Sequence, residues 1–364
     1  MLRFNLSTNK EINLNDIYLA LLNYIYASQN NKEYILKIED LNNQNFEEIN
    51  KEILKKFAIN FTDTYNQTQN IKIYNRFIDK LLEKRVAYKD KNIKNPIYIN
   101  CNNLQYEIVD KDGNPILIFS NIIDDILLNI DTIIEFFDSK ENSKIKEFIY
   151  KELEYKNKID YFYINAIDKG NITIKELFEK GFIPDAIINY LLSINYDLKD
   201  KDIFYLPDAL NFYNISQIKN NKATFDIQIL KEFNKKHLEM MENKRLSTIV
   251  GFVDENIGEL LKILLKNSYT INELVDKFKT IFRAKKCNEY KDNLELKELS
   301  HIILKAPMIE SYEEFFEYLL KNSDFSKGKL DTLLKELLLS NIDIKLKDIY
   351  PYIKPYLLEV ARCQ

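Results

Sequence analysis

Leu2, Phe4 and Leu6 alternate with polar residues as a short strand does, and a polar loop, Ser7 to Glu11, follows. Asn13 or Asp16 can cap the helix that carries Ile17, Ala20, Leu21, Tyr24 and Ile25 on one face. After the polar break Gln29, Asn30 and Asn31, the run Tyr34-Ile35-Leu36 with Ile38 reads as a second strand. Strand, loop, helix and strand in so short a space form a βαβ unit, which closes with a right-handed crossover and parallel strands. The loop after the first strand opens onto a helix N-terminus, the place where such sheets bind anions. The groups for that chemistry are missing there. The first glycine of the chain is Gly113, and the only histidines are His237 and His301. The unit has neither a glycine-rich phosphate cradle nor an imidazole.

A chain of 364 residues is long enough for two or three domains. Its net charge of −4 gives no global pull on nucleic acid, although a local basic face is compatible with it. No positively charged N-terminal region precedes an apolar core, and no uncharged apolar run reaches the length of a membrane span. No membrane association is therefore expected. Cys101, Cys287 and Cys363 are scattered and odd in number, which fits a reduced, cytoplasmic protein and offers no zinc spacing. His237 lies in a helical stretch without a second histidine or a cysteine nearby, so no metal site is expected.

Further along, Phe46–Phe57 and Asn70–Tyr88 carry helical spacing. Residues 106–109 and 116–119 flank Asp110-Lys111-Asp112-Gly113-Asn114, which predicts a hairpin. Ile122–Phe137 reads as buried helix or as strand and helix, and Tyr161–Ile164 as a strand followed by a turn at Asp168-Lys169-Gly170. From Thr173 the pattern is helical almost throughout, ending in a helix expected at Tyr352–Ala361 after Pro351. The change near residue 170 predicts two domains, 1–170 with α/β character and 171–364 all-α.

Several segments carry a resemblance. Arg3-Phe4-Asn5-Leu6-Ser7-Thr8-Asn9-Lys10 and the six residues after it align without gaps to the opening of bacterial glutamyl-tRNA synthetases, which are class I aminoacyl-tRNA synthetases. Leu21–Ile25, Lys37-Ile38-Glu39-Asp40, Gln67-Thr68-Gln69 and Ile123-Asp124-Asp125 fall on further family segments. Gly181–Leu191 resembles the family's G-[FY]-L-P-E-A stretch, and Phe225-Asp226 with Leu230, Asn234, His237 and Leu238 follows its helical pattern. The resemblance covers nearly the whole chain. It implies an N-terminal class I Rossmann-like parallel-sheet domain, with the connective insertion reduced to about residues 89–114, followed by a helical domain of the stem-contact and anticodon-binding type.

The departures from the family are as informative. Its HIGH signature is here Asn13-Leu14-Asn15-Asp16. Asn13 carries no positive charge, Asn15 puts a side chain where the family's purine stacks, and Asp16 adds a negative charge. A like charge at 4 Å costs about 4 kcal/mol at an effective dielectric of 20. Lys10 replaces a family glycine and restores some positive charge. No Met-Ser-Lys stands before Gly181, so the KMSKS loop is shortened and Lys169 is its one candidate remnant, with an ordinary turn lysine as the simpler reading.

Arg3, Ser7 and Glu39 occupy positions that contact glutamate in the family; alternatively Arg3 and Glu39 persist as a buried ion pair between adjacent strands. Leu117 stands at a family tyrosine and Glu135 at a family arginine, a charge reversal that predicts poor binding of free glutamate. Arg283, Lys285 and Lys286 form the clearest basic cluster of the helical half, with Lys235, Lys236, Lys244 and Arg245 as another. They are the candidates for contact with tRNA phosphates. Tyr312, Phe315, Phe316 and Tyr318 could stack on bases, but their helical spacing fits a core.

These readings predict a synthetase relative without aminoacylation activity and without a catalytic residue. Its expected partner is a glutamate- or glutamine-type tRNA, or an active synthetase or amidotransferase handling one. It is expected to be a cytoplasmic monomer that needs no cofactor. The alternatives are a divergent working glutamate–tRNA ligase, which would need ATP and magnesium, and a protein-interaction scaffold without RNA.

Overall fold

The computed structural model describes residues 1–41, 45–89, 96–198, 202–286 and 293–363. The βαβ unit forms as its pattern dictates. β1 (Leu2–Ser7) leads through α1 (Leu14–Gln29) to β2 (Tyr34–Glu39), and β1 pairs with β2 in parallel. α2 (Glu47–Lys56) carries the chain to β3 (Asp63–Asn66), which adds in parallel to the other side of β2. α3 (Ile71–Glu83) follows, then an antiparallel sheet of β4 (Ala87–Lys89), β5 (Ile97–Cys101) and β6 (Leu104–Val109). α4 (Leu117–Leu127), β7 (Thr132–Phe136), α5 (Ser143–Glu152) and β8 (Asp160–Ile164) complete a second parallel crossover. The Asp131 N–H donates to the Met1 carbonyl at 3.2 Å, which brings the start of β7 beside the start of β1. The architecture is that of a Rossmann-like domain.

The hairpin lies elsewhere than the Asp-Gly signal suggests. β5 and β6 turn at Asn102-Asn103, both at positive φ (53° and 65°), the backbone of a type I′ turn. The 110–114 segment is a loop between β6 and α4, and Ile116–Phe119 leads into helix instead of strand. The reason is burial: Phe119, Ile122 and Ile123 continue at helical spacing into a core shared with Ile99, Ile108 and Ile149. Among the described residues, the reduced insertion is this small antiparallel sheet.

β9 (Ile167–Asp168), α6 (Ile174–Glu179), α7 (Pro184–Ser193), α8 (Leu206–Phe212) and β10 (Ala223–Thr224) come next. The helical remainder is α9 (Ile227–Met240), α10 (Asn243–Ser247), α11 (Glu255–Leu265), α12 (Ile271–Phe282), α13 (Asn293–Lys305), α14 (Tyr312–Lys321), α15 (Lys327–Leu339), α16 (Leu346–Ile353) and α17 (Leu357–Val360). Pro351 lies inside α16 and does not open the last helix. The compact units divide differently from the expected 1–170 and 171–364. One holds residues 1–179 and 184–227, the other 180–183 and 228–364. Helices α6 to α8 belong with the sheet: Gln29, at the end of α1, donates to the Leu210 and Tyr213 carbonyls at 3.0 and 2.6 Å.

Phe315 is fully buried, and Tyr312, Phe316 and Tyr318 pack against the same core, as helical spacing implies. Cys101 is a free thiol, whereas Cys363 is disulfide-bonded, so the expectation of reduced thiols throughout does not hold. Among the described residues, no helix is long and apolar enough to cross a membrane, and no cluster of metal-ligating side chains occurs.

Candidate functional site

The C-terminal end of β1 and the first turn of α1 meet the segment after β8. Asn13 is the N-cap of α1: its side chain accepts from the Asp16 N–H at 3.0 Å, and the Asp16 carboxylate accepts from the Asn13 N–H at 3.0 Å. This reciprocal capping box satisfies two of the donors that a helix start leaves open. Those N–H groups are the ones an anion at this terminus would need. Lys10 is spent as well, with Nζ 3.1 Å from both Asp16 oxygens.

Asn15 reaches across to the other motif position. Its amide nitrogen donates to the Ile167 carbonyl at 3.0 Å, and its amide oxygen accepts from the Ile167 N–H at 2.8 Å. The backbone adds Leu14 N–H to Ile172 O, Asn15 N–H to Gly170 O and Ile174 N–H to Ile12 O, at 3.1, 3.3 and 3.0 Å. Gly170 is required by this closure: a Cβ there would lie 2.6 Å from the Asn15 amide nitrogen. The shortened loop is therefore laced to the start of α1 along its length. Lys169 sits exposed in its turn at φ 58°, in an ordinary turn-lysine position. Asn50, fully buried, splints the opposite side of the site by donating to the Ser7 and Lys10 carbonyls and accepting from the Ile12 N–H.

Beneath this lies a buried charge network. Arg3 does not pair with Glu39. The parallel register sets Arg3 opposite Ile35 and Glu39 opposite Ser7. Four residues of strand, about 13 Å, separate the two levels. Arg3 instead grips Asp125 with two hydrogen bonds, at 2.8 and 3.1 Å. Burial lowers the affinity of Arg3 for its proton, but Asp125 more than offsets this and holds it firmly charged. For Asp125, burial pushes the carboxyl up, and Arg3 outweighs it to hold the pKa below the usual range. Asp124 accepts from the Tyr65 and Tyr74 hydroxyls and from Gln67 at 2.8, 2.6 and 2.7 Å, with Lys37 3.5 Å away. Lys37, fully buried, donates to Asn121 at 2.6 Å. Burial lowers its pKa, with Asp124 opposing. Asn121 in turn donates to Glu39 at 3.0 Å.

Glu135 is not open to a substrate carboxylate either. Lys146 holds both its oxygens at 2.9 Å in a buried pair. Sequence reasoning did not single out Asn50, Asn121 or Lys146. Lys146 is one of several charged residues between Ser143 and Tyr155, and no spacing rule pairs it with a strand residue. Of the three expected glutamate contacts, Ser7 and Glu39 share one cleft of about 180 Å³, and Arg3 is not among its lining residues. The charged groups described on its wall are Glu39 and Asp110, both acidic.

The basic cluster Arg283, Lys285 and Lys286 is split. Arg283 and Lys286 are exposed, but Lys285 is only 2 % exposed. Its ammonium donates to the Thr280 and Ile281 carbonyls and so closes the end of α12. Burial, helped by Arg283, lowers its pKa to about 8. Lys285 is a buried helix-capping group, and its ammonium does not face solvent where a phosphate would lie. Lys235 is also engaged, donating to the Lys266 carbonyl at 2.8 Å.

A Rossmann-like domain with this first crossover, followed by helices, is an architecture that class I aminoacyl-tRNA synthetases share with other proteins, and it is the likeness to known proteins that assigns the class. The family described as tRNA synthetases class I (E and Q), catalytic domain, matches residues 2–98. The relative named Glutamate--tRNA ligase 2 of Sulfurovum sp. is 32% identical over 99% of this chain and 100% of its own length. Glutamate--tRNA ligase 1 of Campylobacter jejuni is 27% identical over 100% of both. The solved structure of a glutamate tRNA ligase from Elizabethkingia meningosepticum, in complex with its amino acid, superposes with a TM-score of 0.76 at 15% identity, covering 99% of this chain and 98% of that one. The chain belongs to the glutamyl-tRNA synthetase family. The alignment with the Sulfurovum relative runs over 429 positions against 364 residues here, so that relative carries stretches this chain lacks.

Proposed function

We propose that this chain is a glutamyl-tRNA synthetase relative that does not aminoacylate and acts in the cytoplasm by binding tRNA of the glutamate or glutamine type, or a protein that handles it. The observation that carries the reading is the closure of the nucleotide position by the chain's own side chains. Asn13 and Asp16 cap each other, Lys10 neutralises Asp16, and Asn15 bonds the backbone of the shortened loop. ATP would have to displace all of these and would then find neither a histidine nor a lysine-bearing clamp for its phosphates. Such preorganised charge is a large part of transition-state stabilisation, and rebuilding it costs several kcal/mol. The acidic wall of Glu39 and Asp110 argues against free glutamate. ATP and magnesium are accordingly not needed for the proposed role.

The test is ATP–pyrophosphate exchange with glutamate and tRNA, beside a gel-shift assay at physiological salt. No exchange above background and a shifted tRNA band at micromolar protein are expected. The second reading, a divergent active ligase, draws on the full-length likeness to proteins named as ligases. Exchange dependent on both glutamate and tRNA would establish it and end the first reading.

A further inference from the structure

β8 stands at the edge of its sheet. It pairs with β7 in parallel and, among the described residues, with no other strand. The Asp160 N–H donates to the Asp131 carbonyl at 2.9 Å. Along a parallel strand, residues that bond one neighbour alternate with residues whose main-chain groups face the other way. Asp160, Phe162 and Ile164 therefore bond β7, and the N–H and C=O groups of Tyr161 and Tyr163 point out from the edge. Among the described residues, nothing else bonds to these groups. The usual protections of an edge are few here. β8 carries no proline, and its one charged residue, Asp160, stands at its start, paired with Lys158 at 3.0 Å.

The strand divides two clefts. On one face of the sheet Phe162 packs on Tyr26 of α1, and on the other Tyr161 lies under Lys146 of α5. The cleft on the α1 side, about 230 Å³, is lined by Tyr18 and Ile164 and by polar Asn195, Ser216 and Asn220. The cleft on the α5 side is wider, about 590 Å³, and is lined by Tyr150, Tyr155 and Ile159. Tyr161 borders both. Tyr163 stacks on Tyr161, with 5.8 Å between ring centroids and 7° between planes, and extends the aromatic floor. The charge of the walls is uneven. Glu154 is paired with Lys84 at 2.6 Å. Among the described lining residues, that leaves Lys151, Lys156 and Lys219 against Glu147.

We propose that the free edge of β8 docks an extended segment of another protein, added to the sheet as a further strand. The main-chain groups of Tyr161 and Tyr163 supply the bonds, and the clefts sort the side chains. Successive residues of a strand point to opposite faces. The segment therefore carries aromatic or large apolar residues at every second position, for the wider cleft, and small polar residues between them. Its charged residues are acidic, to match the excess of lysine. A second copy of this chain would bring the same positive excess to the contact and be repelled, which favours a foreign segment. The proposal does not rest on the tRNA reading, because neither the helical unit nor the nucleotide position contributes to this edge.

The probe is a displayed library of random dodecapeptides, selected against the full chain at physiological salt. The selected peptides are expected to alternate large and small residues and to be rich in Asp and Glu. N-methylation of such a peptide, one amide at a time, should weaken binding about 10-fold at every second position and little at those between, because only alternate N–H groups meet β8. Tyr163→Pro removes one donor from the edge, where proline is tolerated, and should cost a similar factor. Circular dichroism and the urea midpoint check its fold, and the N-methyl scan decides the matter should that variant not fold. Neutral or basic peptides without alternation, losses without a period of two, or full binding by folded Tyr163→Pro would overturn the proposal. So would a library that yields no binder. Sedimentation of the full chain at rising concentration tests the other occupant: a dimer that Tyr163→Pro dissolves would assign the edge to a second copy and overturn the proposal too.

Discussion

Asp125 carries the most consequential single contact of the sheet domain. It arrives 122 residues after Arg3 and leaves that guanidinium buried and satisfied. Removing one partner of a buried pair costs about 3–5 kcal/mol, because the other is left charged and dry. Asp125→Asn is therefore expected to lower the urea-derived stability by that order, and Glu39→Gln, whose carboxylate accepts one hydrogen bond from Asn121, by about 1 kcal/mol or less. Equal losses would mean that Arg3 relies on Glu39 after all. The Asp125 pKa is lowered, so its contribution is present above the ordinary carboxylate range and is lost as pH falls through the folded value. Lys285 runs the other way. Its folded pKa of about 8 lies below that of a free lysine, so between these values the unfolded chain holds the extra proton. Stability should rise by roughly 2 kcal/mol from pH 7.5 to 9.5, and Lys285→Met should abolish that part of the rise. Neither role could be read from the chain. Which lysine caps a helix and which faces solvent depends on where Arg283 turns the backbone out of α12.

The first turn of α1 shows how much an element can conceal in four residues. The capping signal of Asn13 and Asp16 was legible as a helix start, and the absence of a phosphate cradle followed from composition. What the pattern could not give is that both residues serve as the cap together, or that Asn15 would bond a backbone 152 residues away. Asn13→Ala should destabilise by about 1 kcal/mol, measured by denaturant, because the Asp16 N–H loses its acceptor. Asn15→Gly should speed hydrogen exchange at 167–172 and still give no pyrophosphate exchange, since Asp16 and the missing lysine clamp remain. Exchange activity gained by that one change would show that Asn15 alone closes the site. The hairpin was misplaced for a comparable reason: Asp-Gly is the stronger local turn signal, yet Asn102-Asn103 also tolerates the left-handed backbone. The helix that buries Phe119 then claims the residues an Asp-Gly hairpin would have paired.

At the scale of the molecule, alternating strand and helix patterns and the family's segments made the fold class legible, but the boundary near residue 170 was not a domain boundary. A switch to helical periodicity marks a change of secondary structure, and α6 to α8 still belong with α1 and the sheet. What separates the two units is that each owns a core. Ile122 is fully buried in one, among α3, α4, α5 and the small antiparallel sheet. Leu334 is fully buried in the other, among the helices from α9 onward. Truncating either to alanine removes about 2–5 kcal/mol of packing. With separate cores, two-state unfolding of the whole chain is not expected. Calorimetry should show two transitions, Ile122→Ala lowering one and Leu334→Ala the other. If each variant instead lowers a single shared transition by the same amount, the units fold as one. The helical unit then could not have been retained for binding independently of the fate of the nucleotide position.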